Sequence, residues 1–389
     1  MIYLDHAAPT PLAAAAAEAM APWLAAGSVG NASSLHAAGR RARAAVEDAR
    51  DRVAAALGVT PLEVLFTAGG TEADNTALKG MVWAAREQGR GTGAVTTAIE
   101  HHAVLEACEW LRDHEGTALN VVEVGADGIV DPDRLLAAVD AQQAGGGTAV
   151  VSVMAANNEL GTIQPLTVIG AALADRGVAM HVDAVQAYGK VPLDLEGWGA
   201  AAVALSAHKF NGPTGVGVLV LKRQATPHPL LHGGGQERGV RSGTLPVAGI
   251  VGLGAAAERA ARMQPTEAPR LAALRDRLTS ALTAVTGVTL NGHPHHRLPS
   301  HVHVAVAGCD AEGLLMALDR AGIACATGSA CQSGAAQRSH VLDAIGAAVD
   351  AAHLRFSLGV DSTQADVDAT AEAVRTCVNS LREGASWHG

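Results

Sequence analysis

Short apolar runs alternate with amphipathic stretches through roughly the first 260 residues of the chain. EVLFT (63–67), GAVTTA, LNVVEV, TAVVSVMA, VAMHVDA, AAVALSA and VGVLVL are brief, apolar and bounded by polar or Gly-rich segments, and they predict strands. Between most of them the apolar positions recur at helical spacing. A capped helix is expected after Asn31-Ala32-Ser33-Ser34, running to about residue 57, and another from 71 to about 86. Strands that are apolar throughout, separated by helices, are the pattern of an α/β fold on a mainly parallel sheet covered by helices on both faces.

Beyond about residue 260 the texture changes. The pattern there predicts a long helix over 268–285, a strand over 301–306, a helix, a strand over 323–327 and a C-terminal helix from Thr363. This is an α+β module. The expected division is a large α/β domain over 13–260 and a smaller α+β domain formed by 1–12 and 261–389.

Composition narrows the class of partner. The 389 residues are 49% hydrophobic and 17% charged, which is globular material. Lys+Arg 28 against Asp+Glu 38 gives a net charge of −10, with no Lys/Arg-rich block, so direct nucleic-acid and membrane binding are poor expectations. MIYLDHAAPTPL has neither a basic start nor an apolar core, and no apolar stretch is long enough to span a bilayer, so a cytoplasmic protein is expected. The five cysteines are odd in number, scattered and without a C-x-x-C pair, which favours thiols over disulfides.

In a sheet of this kind ligands bind beyond the carboxyl ends of the strands, so the residues that follow each strand carry the candidate chemistry. EVLFT leads into AGGTE, where Gly69 and Gly70 permit close backbone approach and Thr71 opens a helix, a terminus suited to phosphate. TAVVSVMA leads into Asn157-Asn158-Glu159. VAMHVDA places Asp183 and then Gln186, and AAVALSA ends in Ser206, His208 and Lys209. Basic charge in this chain is mostly arginine, the other lysines being Lys79, Lys190 and Lys222, so a lysine closing an apolar strand suggests that an amine is needed there. A phosphate anchor, a carboxylate for a protonated ring nitrogen and a Schiff-base lysine together match the needs of pyridoxal phosphate.

Cys331 lies in ATGSACQSGAAQRSH (326–340), a run too small and polar to bury, and its placement favours reactivity over packing. Cys108, Cys309, Cys325 and Cys377 lie in or beside apolar strand-like or helical segments, where packing is their expected role.

On YLDHAAPTPL, GNASSLH, FTAGGTEADN, IEHHAV, ANNELGT, HVDAVQ, SAHKFNGPTG, GGGQERGVRSGT, GSACQSG and LRFSLG, the chain resembles the cysteine desulfurases of the class V aminotransferase family, of the iron–sulfur housekeeping type with a long catalytic loop. The resemblance spans nearly the whole chain. It implies the pyridoxal-phosphate fold type I and removal of sulfur from L-cysteine to give alanine and a persulfide on Cys331. It also implies that Lys209 carries the cofactor, that His101 stacks on its ring and that Asp183 pairs with the ring nitrogen. Asn157 and Gln186 would bond the phenolate side, and Gly70, Thr71, Ser206 and His208 would hold the phosphate, joined by Thr244 of a second subunit in a homodimer with shared active sites. Arg355 would receive the substrate carboxylate, assisted by Asn157. The sulfur would pass to a partner such as an iron–sulfur scaffold or a tRNA-thiolation enzyme.

The chain departs from the family pattern at Pro9, where a second threonine is usual, and at Gln332, where small hydroxyl residues are commoner. The histidine-rich stretch 293–303 is interrupted by Pro and Arg, and it is expected to be a solvated loop leading into a strand rather than a metal site. Competing readings are a transaminase or lyase of the same fold, a selenocysteine lyase, which would not require the Cys331 thiol, and a non-catalytic sulfur carrier, against which the intact Lys209 set argues.

Overall fold

The computed structural model describes residues 1–327 and 338–385. Seven strands form the central sheet in the order Val64–Thr67, Gly217–Leu221, Ala202–Ser206, Ala179–Asp183, Thr148–Ser152, Gly93–Thr97 and Leu119–Val122. Neighbours run parallel except at Gly217–Leu221, which is antiparallel to the strand on either side.

The near-continuous apolar character of these strands follows from burial on both faces. Leu65, Ala94, Val150, Ala202, Ala204 and Leu219 pack with Ala73, Ala77 and Leu78 of the helix Gly70–Glu87. Their neighbours Phe66, Val95, Val151, Val203, Leu205, Val218 and Val220 pack with Val46 and Val53 of the helix Ala37–Leu57 and with Ile250 and Leu253 of the helix Val247–Thr283. By the same alternation Met180 and Val182 join the second layer, so His181 and Asp183 point to the side of the helix Gly70–Glu87.

A second core gathers Leu4, Leu278, Leu282, Val302, Val304, Leu314, Phe356 and Val374 around the antiparallel strands Val288–Leu290, His301–Ala307 and Ala351–Ser357. The chain's start belongs here: Ile2–Tyr3 pairs in parallel with Ile323–Ala324, and Asp5 bridges to Ser357.

The helix expected after Asn31–Ser34 is Ala37–Leu57, capped by His36, while the Asn31 side chain accepts the Ser33 N–H in a local turn. Two expectations are corrected. The helix expected from 268 begins at Val247 and runs to Thr283 with Pro265 and Pro269 inside it. Each proline removes a hydrogen bond at a cost of about 3 kcal/mol, but both ends of the helix are held by packing, one in each core. The position expected to divide the chain, near 260, falls inside this helix. Finally, the strand expected over 323–327 is only Ile323–Ala324, followed by a single bridge from Ala326 to Arg355.

The histidine-rich stretch divides. His293 Nδ1 accepts from the backbone N–H groups of His295 and His296 in a turn, whereas His301 and His303 are buried in their strand. Among the described residues no helix is long and apolar enough to cross a membrane.

Candidate active site

The carboxyl ends of the parallel strands open into a cavity of 370 Å³, closed from the other side by the N-terminal segment and by Arg355. Gly70, Thr71, Ser206 and His208 line one part of it, and His101, Asp183, Gln186, Lys209 and Arg355 line the rest. Pro9 lines it too, while the neighbouring Thr10 hydroxyl donates to the His208 carbonyl at 2.8 Å.

The end of the cavity at Gly70 and Thr71 is built from a glycine turn and a helix start. Gly69 has φ +155°, a conformation that L side chains rarely adopt, and this aims the first turn of the helix Gly70–Glu87 at the cavity. A Cβ on Gly70 would lie 2.7 Å from Val185 Cγ2, so only glycine leaves the cradle open. Ser206 Oγ and His208 Nδ1 lie 3.0 Å apart beside it. Burial, reinforced by the positive charge of Lys209, pushes the His208 imidazole down to about 4, so it is neutral at physiological pH.

Lys209 follows the strand Ala202–Ser206 in a single 3₁₀ turn, and its Nζ donates to the Ala7 carbonyl at 2.6 Å. His101 caps the helix His102–Glu115 by accepting the Ala103 N–H on Nδ1, which fixes its ring at the cavity wall. Burial and then Lys209 push it down to about 4.

Asp183 is buried, and its Oδ1 accepts the Val185 N–H at 2.9 Å. Desolvation raises its pKa above the usual carboxylate range. Asp74, from the facing helix, is also buried and raised, first by burial and then by the charge of Asp183. Its Oδ1 stands 3.4 Å from His181 Nε2, but the two are not aligned for a hydrogen bond. A buried acid beside a second acid is stabilised as an anion by a cationic partner. A protonated pyridine nitrogen is such a partner, and the glycine cradle, the amine and the flat histidine wall fit the rest of pyridoxal phosphate.

Of the described residues expected to bind within one chain, Asn157 does not line the cavity. Asn157 is wholly buried, and its amide is occupied by the Ile99 carbonyl and by the N–H groups of Glu159 and Leu160. These bonds tie the turn to the segment that leads to His101. The lining residue is Asn158, and its carbonyl also accepts from Arg355 Nη1 at 3.2 Å. Arg355 is buried, and its Nη2 meets Asp5 Oδ1 at 2.7 Å. Asn158 was noted in the sequence as a strand-end residue but given no role, and Asp5 and Asp74 were missed there, although each stands inside or beside a motif singled out in it.

Thr244 is exposed and does not line the cavity of its own chain. It ends a segment held by the buried Arg50–Glu237 pair at 2.8 Å and by the Gln236 side-chain oxygen, which accepts the Gly243 N–H at 2.8 Å. Cys331 and Gln332 lie outside the described residues. Of the other cysteines, Cys108 and Cys325 are pushed up to about 12, chiefly by burial, as suits packing rather than thiolate chemistry.

The aminotransferase class-V family model matches residues 2–370. The chain is 48% identical to the "IscS-like cysteine desulfurase" of Mycobacterium tuberculosis, covering 99% of this chain and 98% of that one. It is 40% identical to the "Cysteine desulfurase IscS" of Dictyoglomus turgidum, covering 98% and 95%. A solved structure described as a NifS-like protein superimposes with a TM-score of 0.89 at 35% identity, covering 97% of this chain and 99% of that one.

Proposed function

The chain belongs to the class V aminotransferase family and is a pyridoxal-phosphate-dependent cysteine desulfurase, and from that premise we propose which of its residues carry the reaction. The observation that supports the assignment is the convergence of Lys209, Asp183, His101 and Arg355 on one 370 Å³ cavity.

Gly70, Thr71, Ser206 and His208 would hold the phosphate of the cofactor, His101 its ring face, Asp183 its ring nitrogen, Gln186 the phenolate side, and Lys209 its aldehyde carbon. When bound, the cofactor supplies an electron sink for the charge left at the substrate Cα. Lys209 Nζ takes the Cα proton, for which it is placed by the Ala7 carbonyl. Asp183 keeps a proton on the ring nitrogen by remaining anionic beside it. Arg355, braced by Asp5 and the Asn158 carbonyl, receives the substrate carboxylate through paired N–H donors. Asn158 takes the place expected for Asn157. The Cys331 thiolate attacks the substrate sulfur: a sulfur–sulfur bond forms, the Cβ–sulfur bond breaks, and the carbon skeleton leaves as alanine after protonation.

Thr244 would complete the phosphate site of a second copy of the chain, making the active unit a homodimer with shared sites. The persulfide would then pass to a protein acceptor, an iron–sulfur scaffold or a tRNA-thiolation enzyme.

The test is Cys331→Ser with pyridoxal phosphate and L-cysteine. The variant should bind cofactor normally, form no protein persulfide and release alanine at least about a hundredfold more slowly than the parent, since its sulfur acceptor is gone. Alanine release at the parent rate would instead support a lyase that needs no thiol.

A further inference from the structure

Lys190 is buried at the end of the turn that follows the strand Ala179–Asp183, and nothing in the reaction described above uses it. Its Nζ donates to the Gln186 side-chain Oε1 at 2.9 Å and to the Gln186 backbone carbonyl at 3.1 Å. Burial, then Lys209 and Arg355, push the amine down to about 7. As an ammonium, Lys190 only donates and so faces the oxygen end of the Gln186 amide, the orientation that the Nε2 bond to the Ala7 carbonyl also requires. The other end of the amide is therefore the nitrogen. Nε2 donates one hydrogen to the Ala7 carbonyl at 2.8 Å, the same carbonyl that accepts from Lys209 Nζ. Its second hydrogen is left for the cavity that Gln186 lines.

We infer that Lys190 is a positioning residue that fixes the Gln186 amide so that it offers an N–H donor, rather than its oxygen, to the cofactor. The inference rests on the role proposed above for Gln186 at the phenolate side. A phenolate oxygen accepts hydrogen bonds, so a flipped amide would place oxygen against oxygen. Without Lys190 the flip is opposed only by the Ala7 carbonyl, which Lys209 Nζ shares, because the Gln186 oxygen has no other described donor.

The experiment is a double-mutant cycle on the holoenzyme with Lys190→Met, Gln186→Ala and the pair together. Release of pyridoxal phosphate is followed by loss of the absorbance of the lysine-bound cofactor after dilution into a scavenger. Each single variant should release cofactor about tenfold faster, the effect of one hydrogen bond lost to a charged oxygen. The double variant should be no faster than Gln186→Ala, because Lys190 acts through that side chain. The absorbance maximum should also shift the same way in both single variants. If Lys190→Met does not fold, Lys190→Gln enters the same cycle, since its amide can donate or accept and so releases the constraint. Additive effects would overturn the role of Lys190 while leaving Gln186 in place. Parent-like release from Gln186→Ala would overturn both.

Discussion

Asp5 Oδ1 lies 2.7 Å from Arg355 Nη2, joining residues 350 positions apart at the mouth of the site. The pair has two consequences of opposite sign. Asp5 holds the guanidinium in place, yet its negative charge stands close to where a substrate carboxylate would bind. Asp5→Asn keeps an oxygen for Nη2 and removes the charge, so KM for cysteine should stay within about threefold of the parent. Asp5→Ala loses the brace and should raise KM by about tenfold. Arg355→Lys should raise it by roughly ten- to a hundredfold, since a point charge cannot replace paired donors. Steady-state kinetics checks all three variants, and an effect on kcat with KM unchanged would show that Arg355 does not bind the carboxylate.

Asp183→Asn should leave the phosphate anchor intact and slow the removal of the Cα proton. An amide at this position carries no charge, so the ring nitrogen would lose the anion that keeps it protonated. A fall in kcat of about a hundredfold or more is expected, with cofactor still bound by absorbance. Exchange of the cysteine Cα proton with deuterated solvent reports the same step independently of sulfur transfer, and exchange at the parent rate would remove Asp183 from the ring-nitrogen role.

The strand ends were legible because residue type and position agreed: Asp183 and Lys209 each close an apolar run, and the sheet turns all such ends to one edge. The choice between Asn157 and Asn158 was not legible. Both follow the strand Thr148–Ser152, and which one faces the cavity depends on the Asn157 hydrogen bonds to Ile99 and Leu160, which are made by folding of the turn. The helix across Pro265 and Pro269 was hidden because local propensity forbids what packing in two cores enforces. The Asp5–Arg355 pair leaves no local trace at all.

Glu100 gives a pH signature of folding. It is wholly buried, and its Oε1 accepts from Thr97 Oγ1 and the Met154 N–H, but desolvation still pushes its carboxyl from 4.5 up to about 8. Between those values the folded protein keeps a proton that the unfolded chain loses. This contribution is complete below pH 4.5 and is lost as pH rises through about 8. Glu100→Gln is neutral throughout, so its stability relative to the parent should improve across that window by up to about 1.4 kcal/mol per pH unit. His101, His181 and His208, pushed down to about 4, act oppositely: their contribution is present above 6.5 and lost as pH falls, but it cancels in the comparison. Urea unfolding of the two apoproteins at several pH values is the measurement, and parallel curves would refute the buried-acid account.

The shared site can be tested by complementation. If Thr244 serves the partner's cofactor, each active site combines Lys209 of one chain with Thr244 of the other. Lys209→Ala removes the amine, and Thr244→Asp places a negative charge against the phosphate, so each homodimer should be inactive. In a hybrid dimer one site then carries both lesions and the other carries neither. Exchanging subunits should restore alanine release, up to one working site per hybrid. A Thr244 acting within its own chain would leave one lesion in each site and restore nothing. Differentially tagged subunits, purified through both tags, isolate the hybrid, and a verified hybrid without activity would assign Thr244 to its own chain.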